Sequence, residues 1–291
     1  MTTSVSQTEA ELYDRQIRVW GLEAQSRLKQ GRVWILSLTP TGLEVAKNLI
    51  LTGVGSIFLV DNHVVTEDDL TSSYFLSPKS IGSPRSSSAL GPLQELNPNC
   101  KVSVQSDLDP NQEDLVIFCD KHVDTSLFDS LNSKKIAHLW CWSHCRLGIV
   151  ALNFLDFSFV YEDQRSSVTY TNLNTVLSKL NSLTFPRRIS PYIGCSLLLL
   201  SNYFLGKPLP SVTEVTANVL PRLSSKLSNG IEESCSRAVA DFDSPTLYPC
   251  AMTIGGFAAQ EAVKFFTKTS ATINNVIVLD IDQGCAPILT I

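Results

Sequence analysis

The chain has 291 residues, of which 44% are hydrophobic, and this length and composition are enough to bury one large core. A formal net charge of −5 and a pI near 5.4 argue against a nucleic-acid-binding protein, which normally carries a basic face. There is no long uninterrupted apolar window, and residues 1–11 are polar and acidic rather than a signal peptide, so we expect an intracellular protein without membrane contact.

The first elements alternate apolar runs with helical patterns. Residues 9–30 are predicted to be helical with a break at Gly21. Residues 33–38 and 57–60 are short apolar runs typical of strands buried on both faces, and residues 43–51 between them have helical spacing. This order predicts a βαβ unit with a right-handed crossover.

The following segments extend the same pattern. A helix is predicted near residues 89–96, and strands are predicted at 102–104, 115–119 and 136–140. Alternating strands and helices of this kind predict an α/β fold with a Rossmann-like, doubly wound and mostly parallel sheet.

The pattern changes after residue 148. Residues 149–160 have strand-like alternation, and residues 161–246 are predicted to form an irregular, loop-rich insert with one apolar helix at 192–204. Residues 247–291 regain order, with a helical pattern followed by an apolar strand. We therefore predict one domain built from residues 1–160 and 247–291 and interrupted by the insert.

The eight cysteines are scattered, and in a reducing compartment they are predicted to be free thiols. Cys141 and Cys145 flank His144 with C-x₃-C spacing. A zinc site needs about four ligands, and no second pair follows, so no metal site is predicted.

The turn after the first strand, residues 37–42, decides the question of nucleotide binding. In a nucleotide-binding βαβ unit this turn carries glycines that let the backbone approach phosphate. Here only Gly42 occupies a fingerprint position, and Pro40 has no N–H to donate. Asp61, at the end of the second strand, lies where a ribose-binding carboxylate would lie, although a solvated strand terminus is the alternative. An NAD-dependent oxidoreductase is therefore a rival interpretation, which the missing glycines disfavour.

A nine-residue motif near the N-terminus, YDRQIRVWG at residues 13–21, resembles the opening signature of the small subunits of ubiquitin-like activating enzymes. The resemblance covers residues 9–148 and 247–282, and includes GG-x₃-QE at residues 255–261. It implies an adenylation fold of the ThiF/MoeB type. Residues 12–25 look closest to the SUMO-activating type; the Nedd-type subunit is the alternative, although it is normally longer because of a helical insert.

Comparison with the catalytic half of such enzymes implies a pseudo-active half. Residues 69–74 replace the family's Asn-x-Asn-Arg-Gln-Phe stretch that holds ATP, and Ser83 replaces its first lysine. Arg85 stands at the second basic position, and Asp120 at the magnesium-handling aspartate, where Lys121 replaces the usual asparagine. The vestigial candidates for nucleotide contact are Gly42, Asp61, Arg85 and Asp120.

Arg15 is the residue to which the resemblance assigns a catalytic role. In the family, this arginine reaches across a heterodimer to the phosphates of ATP, and such a contact makes catalysis depend on assembly. From the residues alone, a surface salt bridge with Asp14 or Glu11 is the alternative. Arg18 is a weaker candidate, as the partner of an interface carboxylate.

The resemblance also implies partners and cofactors. An obligate large subunit would hold ATP, magnesium, the SUMO-like protein and the catalytic cysteine, and this chain would hold no cofactor of its own. It further implies residence in the nucleus, with the cytoplasm as a second location. Gly255 and Gly256, in the helix predicted at 251–266, indicate close backbone approach either within the domain or at the dimer interface.

Overall fold

The computed structural model describes residues 6–70, 72–180, 189–222, 230–242 and 244–291. The strands found in this part of the chain are β1 Arg32–Leu36, β2 Ser56–Val60, β3 Lys101–Val104, β4 Leu115–Phe118, β5 Ala137–His144, β6 Leu147–Asn153, β7 Asp156–Tyr161, β8 Gln164–Thr169, β9 Val276–Asp280 and β10 Ile288–Leu289. The helices found there are α1 Gln7–Leu12, α2 Asp14–Trp20, α3 Leu22–Gln30, α4 Pro40–Thr52, α5 Glu67–Leu70, α6 Arg85–Glu95, α7 Ser126–Ser133, α8 Leu173–Lys179, α9 Pro191–Phe204, α10 Val212–Val219, α11 Ile231–Asp241 and α12 Tyr248–Thr267.

Eight of these strands form one sheet in the order β10-β9-β6-β5-β4-β1-β2-β3. The strands β1 to β5 are parallel to one another, whereas β6 and β10 run antiparallel to their neighbours. The predicted mostly parallel, doubly wound sheet is therefore confirmed. The strand order reverses between β1 and β4, so the crevice at their carboxyl ends is where a ligand would bind in this type of sheet.

The central strands β4, β5 and β6 are buried on both faces, which explains their largely apolar sequences. Ile35 of β1 faces one core, formed with α3, α4, α6 and α12. Its neighbour Trp34 faces a second core, formed with helices α7 to α11. Each of the two helical layers thus covers one side of the sheet.

Helices α4 and α12 pack closely against each other in the first core. A Cβ placed on Gly255 would lie 2.6 Å from the Glu44 Cβ and 3.2 Å from the Val45 N, so only glycine fits there. A Cβ on Gly256 would meet nothing within 4 Å among the described residues. Of the two explanations for these glycines, packing within the domain therefore applies to Gly255.

The prediction of an irregular segment with one helix at 161–246 is wrong for the described residues. Helix α9 was expected, but α8, α10 and α11 also form there, as does strand β8. The Ser- and Pro-rich composition conceals caps and short apolar faces: Ser211 caps α10 through a reciprocal pair of hydrogen bonds with Glu214, and Val215 is buried in the second core. Parts of this segment, residues 181–188 and 223–229, lie outside the described residues.

The prediction of free thiols is wrong for two of the cysteines. Cys195 of α9 and Cys235 of α11 form a disulfide across a sequence separation of 40, with their Cα atoms 5.4 Å apart. Both side chains are buried where the two helices pack, an adjacency that cysteine spacing does not reveal. The other six cysteines are free.

Two further features bear on function. Among the described residues, no group of three or more His, Cys, Asp and Glu side chains is arranged to hold a metal ion. Nor does that part of the chain contain a helix with the length and apolar character needed to span a bilayer.

His138 of β5 is a buried imidazole with a neutral hydrogen-bonding environment. Its Nδ1 lies 2.9 Å from the carbonyl oxygen of Ile136, and its Nε2 lies 3.4 Å from Asn153 Nδ2. Burial lowers the pKa of His138 to about 4. The native protein therefore holds this side chain neutral near pH 7.

Candidate functional site

The turn that joins β1 to α4 has a Rossmann-like course, but its own side chains fill it. Ser37 has a φ of +67°, the left-handed conformation that a first fingerprint glycine would adopt. Thr39 is the N-cap of α4: its Oγ1 donates to the Cys119 carbonyl at 2.6 Å and accepts from the Gly42 N–H at 3.4 Å. The Thr39 hydroxyl therefore lies where a phosphate would bind, and it accepts from the Gly42 N–H, one of the backbone donors that would serve that phosphate.

Gly42 is explained by packing rather than by a ligand. A Cβ at this position would lie 2.3 Å from the Ser37 carbonyl oxygen and 3.1 Å from the Cys119 Cβ. Close approach of the helix to the strand end is the role of the third fingerprint glycine, which does not touch the pyrophosphate. Gly42 therefore retains a structural role of the motif.

The carboxylate of Asp61 is buried and fully engaged, so the interpretation of a solvated strand terminus is wrong. Its side chain has no exposed surface. Oδ2 accepts from the Leu38 N–H at 2.6 Å, and Oδ1 accepts from the His63 N–H at 2.8 Å and lies 2.9 Å from His63 Nδ1. The group that would hold a ribose hydroxyl instead braces the turn.

Arg85 is held by carboxylates of the same chain. Its Nη2 and Nε contact the two oxygens of Asp69 at 2.7 Å and 3.1 Å, and its Nη1 lies 3.9 Å from Asp61 Oδ2. Asp69 also accepts from the backbone N–H and hydroxyl of Thr66 at 2.8 Å and 3.0 Å. This bidentate pairing leaves the guanidinium committed to Asp69 rather than to a phosphate.

Asp120 lies at the crevice between the ends of β1 and β4, beside Cys119. Its Oδ1 accepts from the His122 N–H at 3.0 Å, and its carbonyl accepts from Trp140 Nε1 at 2.7 Å. The crevice has a volume of about 100 Å³, whereas ligand pockets usually measure about 300–1,000 Å³. Burial raises the pKa of Cys119 well above its usual value, which disfavours the reactive thiolate form.

The structure thus brings Gly42, Asp61 and Arg85 together around one turn and places Asp120 at the neighbouring crevice. The residues present do not fit the phosphates of a nucleotide, because a hydroxyl, a proline and two intramolecular carboxylate contacts occupy the cradle. Sequence reasoning missed Thr39 and Asp69, and the signal for Thr39 is its place directly before a helix-starting proline.

Arg15 lies apart from this turn in sequence, on the surface of α2. Its side chain is exposed and makes no hydrogen bond or ion pair with any described residue. The alternative of a salt bridge with Asp14 is not observed, since Asp14 pairs with Arg18 at 2.9 Å. Both arginines of α2 are exposed, but Arg18 is paired within its own helix, whereas Arg15 has no ion pair among the described residues.

Comparison with known families and proteins gives a consistent result. The sequence model of the ThiF family matches residues 13–284. "SUMO-activating enzyme subunit 1" of Dictyostelium discoideum is 26% identical over 96% of this chain and 92% of that protein. "DNA damage tolerance protein RHC31" of Saccharomyces cerevisiae is 30% identical over 60% of this chain, and "SUMO-activating enzyme subunit 1" of Homo sapiens is 43% identical over 35% of it. The chain spans 52% of the yeast relative and 30% of the human one.

Solved structures agree on the fold. The structure of SeMet PaaA superposes with a TM-score of 0.62 at 14% identity, covering 100% of this chain and 76% of that one. Escherichia coli MccB with succinimide superposes with a TM-score of 0.59 at 13% identity, covering 96% and 71%. At these identities the likeness concerns the fold alone.

Proposed function

This chain belongs to the ThiF family, and on that premise we propose that it is the small, non-thioester subunit of a heterodimeric enzyme that activates a SUMO-like protein. Its relatives in Dictyostelium discoideum and Homo sapiens carry the name of subunit 1 of such an enzyme. The Dictyostelium alignment runs over nearly the whole of both chains, which favours this type over a longer Nedd-type subunit.

One contrast carries the proposal. The turn where a nucleotide would bind is filled by Thr39 and braced by Asp61, whereas Arg15 is exposed and uncommitted on α2. A chain that bound a nucleotide itself would need an open turn between β1 and α4. A chain that serves a partner's site needs an exposed cation such as Arg15. ATP and magnesium are therefore assigned to the large subunit, and this chain supplies a cation.

The proposed reaction explains why a cation is needed. The C-terminal carboxylate of the modifier would attack the α-phosphate of ATP and release pyrophosphate; a cysteine thiolate of the large subunit would then attack the acyl adenylate, form the thioester and release AMP. Negative charge grows on the leaving pyrophosphate, and a planar guanidinium offers paired donors to it. Because Arg15 comes from another chain, activity would require assembly.

Binding measurements on the isolated chain separate this proposal from its rival of another class. Calorimetric titration with ATP and with NAD is expected to detect neither, because Asp61 and Arg85 are engaged within the chain. Saturable NAD binding would favour an oxidoreductase. Saturable ATP binding with hydrolysis by the chain alone would contradict the division of labour proposed here.

Reconstitution tests the partner and the modifier. Mixed with a large subunit of the SUMO-activating type, the chain is expected to form a one-to-one complex that exchanges pyrophosphate into ATP when a SUMO-like protein is present. A Nedd-like protein serves as the matched modifier control, and a preference for it would reassign the subunit. The proposed nuclear residence is checked by imaging the tagged chain in cells.

A further inference from the structure

The structure assigns a positioning role to Tyr13 and Trp20: we infer that these residues, each through one buried amide side chain, hold α2 so that Arg15 is presented to the partner subunit. The inference rests on the proposed function, because it concerns how the trans-acting arginine is held. It names residues that neither the vestigial turn nor the surface of α2 would suggest.

Helix α2 needs such anchors because it buries little of its own surface. None of its seven residues is fully buried, and Asp14, Arg15, Arg18 and Val19 are exposed. A helix this short is not stable on its own, so its position depends on contacts with the rest of the protein, and its most buried neighbours in sequence lie at its ends. Those contacts fix the position of the backbone from which Arg15 projects.

The N-terminal anchor is Tyr13, the single residue between α1 and α2. Its N–H donates to the Glu9 carbonyl, and its own carbonyl accepts from the N–H groups of Gln16 and Ile17 at 3.0 Å and 2.9 Å. Tyr13 thus ends one helix and starts the next. The side chain is only 5% exposed, so the backbone step that leads to Arg15 is tied to the protein interior.

The Tyr13 side chain is received by a prepared site. Asn97 Nδ2 donates to the Tyr13 hydroxyl at 2.7 Å and to the Ile50 carbonyl at 2.8 Å, which uses both of its N–H donors. The ring lies on Gly53, where an added Cβ would be 2.6 Å from the Tyr13 Cζ. Gly53 also has a φ of +83° as the C-cap of α4, so no other residue suits it.

The C-terminal anchor repeats this arrangement. Trp20 Nε1 donates to Gln25 Oε1 at 2.9 Å, and Gln25 Nε2 donates to the Thr52 carbonyl at 3.2 Å. Gln25 is 1% exposed. An aromatic side chain, a buried amide and a carbonyl of α4 again form a chain of hydrogen bonds.

Both chains of hydrogen bonds end at the same place. Ile50 and Thr52 belong to the last four residues of α4, where the regular helical hydrogen bonds run out; the Ile50 carbonyl also accepts from the Gly53 N–H at 3.1 Å. Both ends of α2 are therefore connected by hydrogen bonds to the same core helix, α4. The backbone of α2 that carries Arg15 is held in place before any partner arrives, which spares the complex the cost of ordering that helix.

The test removes one hydrogen bond at each end: Tyr13→Phe keeps its ring, and Trp20→Phe replaces the indole with a smaller ring that has no N–H donor. In the reconstituted complex, Tyr13→Phe and Trp20→Phe are each expected to lower kcat for ATP–pyrophosphate exchange about five-fold, the loss typical of one hydrogen bond. The KM for ATP is expected to change by less than about two-fold, since the anchors do not touch ATP. Tyr170→Phe is the matched control: it also removes a buried tyrosine hydroxyl, bonded to the Ile273 carbonyl at 2.9 Å, but far along the chain from α2.

The decisive measurement repeats both variants in an Arg15→Ala background, where a positioning role predicts no further loss. Equal losses in both backgrounds would mean that the anchors only stabilise the fold, and no loss in either would also overturn the inference. Should Tyr13→Phe fail to assemble, Trp20→Phe decides alone. If Arg15→Ala itself slows exchange while the anchors have no effect, the proposed function stands and only this inference fails; if Arg15→Ala has no effect, both fail.

Discussion

Replacing Arg15 with alanine is the sharpest test of the proposed function, because the structure allows its effects to be separated. In the free chain the guanidinium is exposed and contacts none of the described residues. Its removal should therefore change the free energy of unfolding by less than about 0.5 kcal/mol, as is usual for surface positions. Any larger effect on activity must then arise in the complex.

The expected size of that effect follows from the chemistry of the leaving group. Removing one pre-positioned donor from developing negative charge costs roughly 100- to 1,000-fold in kcat, or about 2.7–4 kcal/mol. Arg15→Lys should fall between the native protein and Arg15→Ala, because an ammonium keeps the charge but loses the planar fork.

The assay is ATP–pyrophosphate exchange by the reconstituted complex, with complex formation measured in parallel by analytical ultracentrifugation. Arg18→Ala is the matched control on the same helix. Arg18 is 77% exposed in its pair with Asp14, a pair worth less than about 1 kcal/mol, so its loss should leave exchange unchanged. If exchange by the Arg15→Ala complex stays within two-fold of the native rate, or if Arg18→Ala has the larger effect, the reasoning is refuted.

Three further predictions concern the fold. Urea unfolding should show Gly255→Ala to be destabilising by about 1–3 kcal/mol and Gly256→Ala to be stabilising by up to about 1 kcal/mol, because only the former adds a Cβ against α4. The pKa of His138 is lowered from 6.5 to about 4, so between these pH values the unfolded chain is protonated at this residue and the native protein is not. The free energy of unfolding should therefore fall by up to roughly 3 kcal/mol as the pH falls through this interval, and His138→Gln should flatten that dependence. Reducing the bond between Cys195 and Cys235 should lower the free energy of unfolding by about 4 kcal/mol, and mass spectrometry of the unreduced protein should recover the linked peptides.

Each of these outcomes has a clear opposite. Equal effects of the two glycine substitutions would contradict the close packing of α4 and α12. An unchanged pH dependence in His138→Gln would mean that other groups cause it. Recovery of both cysteines as separately alkylated thiols from the unreduced protein would contradict the disulfide.

The sheet was predictable because burial on both faces leaves a strong local signal. The apolar runs at β1 and β4 are continuous and match strands covered by helices on both sides, whereas the equally apolar β2 is buried only at alternate positions. The helices α10 and α11 were not predictable in the same way. Their apolar faces are short, and they are helical largely because they pack on α9.

For the turn at residues 37–42, the sequence could indicate that a phosphate site had been lost, but not which side-chain contacts had replaced it. The missing glycines and Pro40 are local facts, whereas the contact of Asp61 with Leu38 and that of Arg85 with Asp69 depend on tertiary structure. The anchors of α2 were hidden for the same reason. Tyr13 and Asn97 are 84 positions apart, and nothing in either residue alone indicates that they meet.

The pairing of β6 with β9 has a consequence for how this protein can change in size. The two strands are direct neighbours in the sheet, although Asn153 ends one and Val276 begins the other. The chain between them leaves the sheet at the end of β6 and returns to it at the neighbouring strand β9. Each doubling of the length of an exposed connection within that segment costs only about 0.6 kcal/mol of loop-closure entropy. The largely exposed link between α9 and α10, residues 205–211, is thus a site where an insertion, evolved or engineered as a reporter domain, can be tolerated. The strands of the sheet would keep their register.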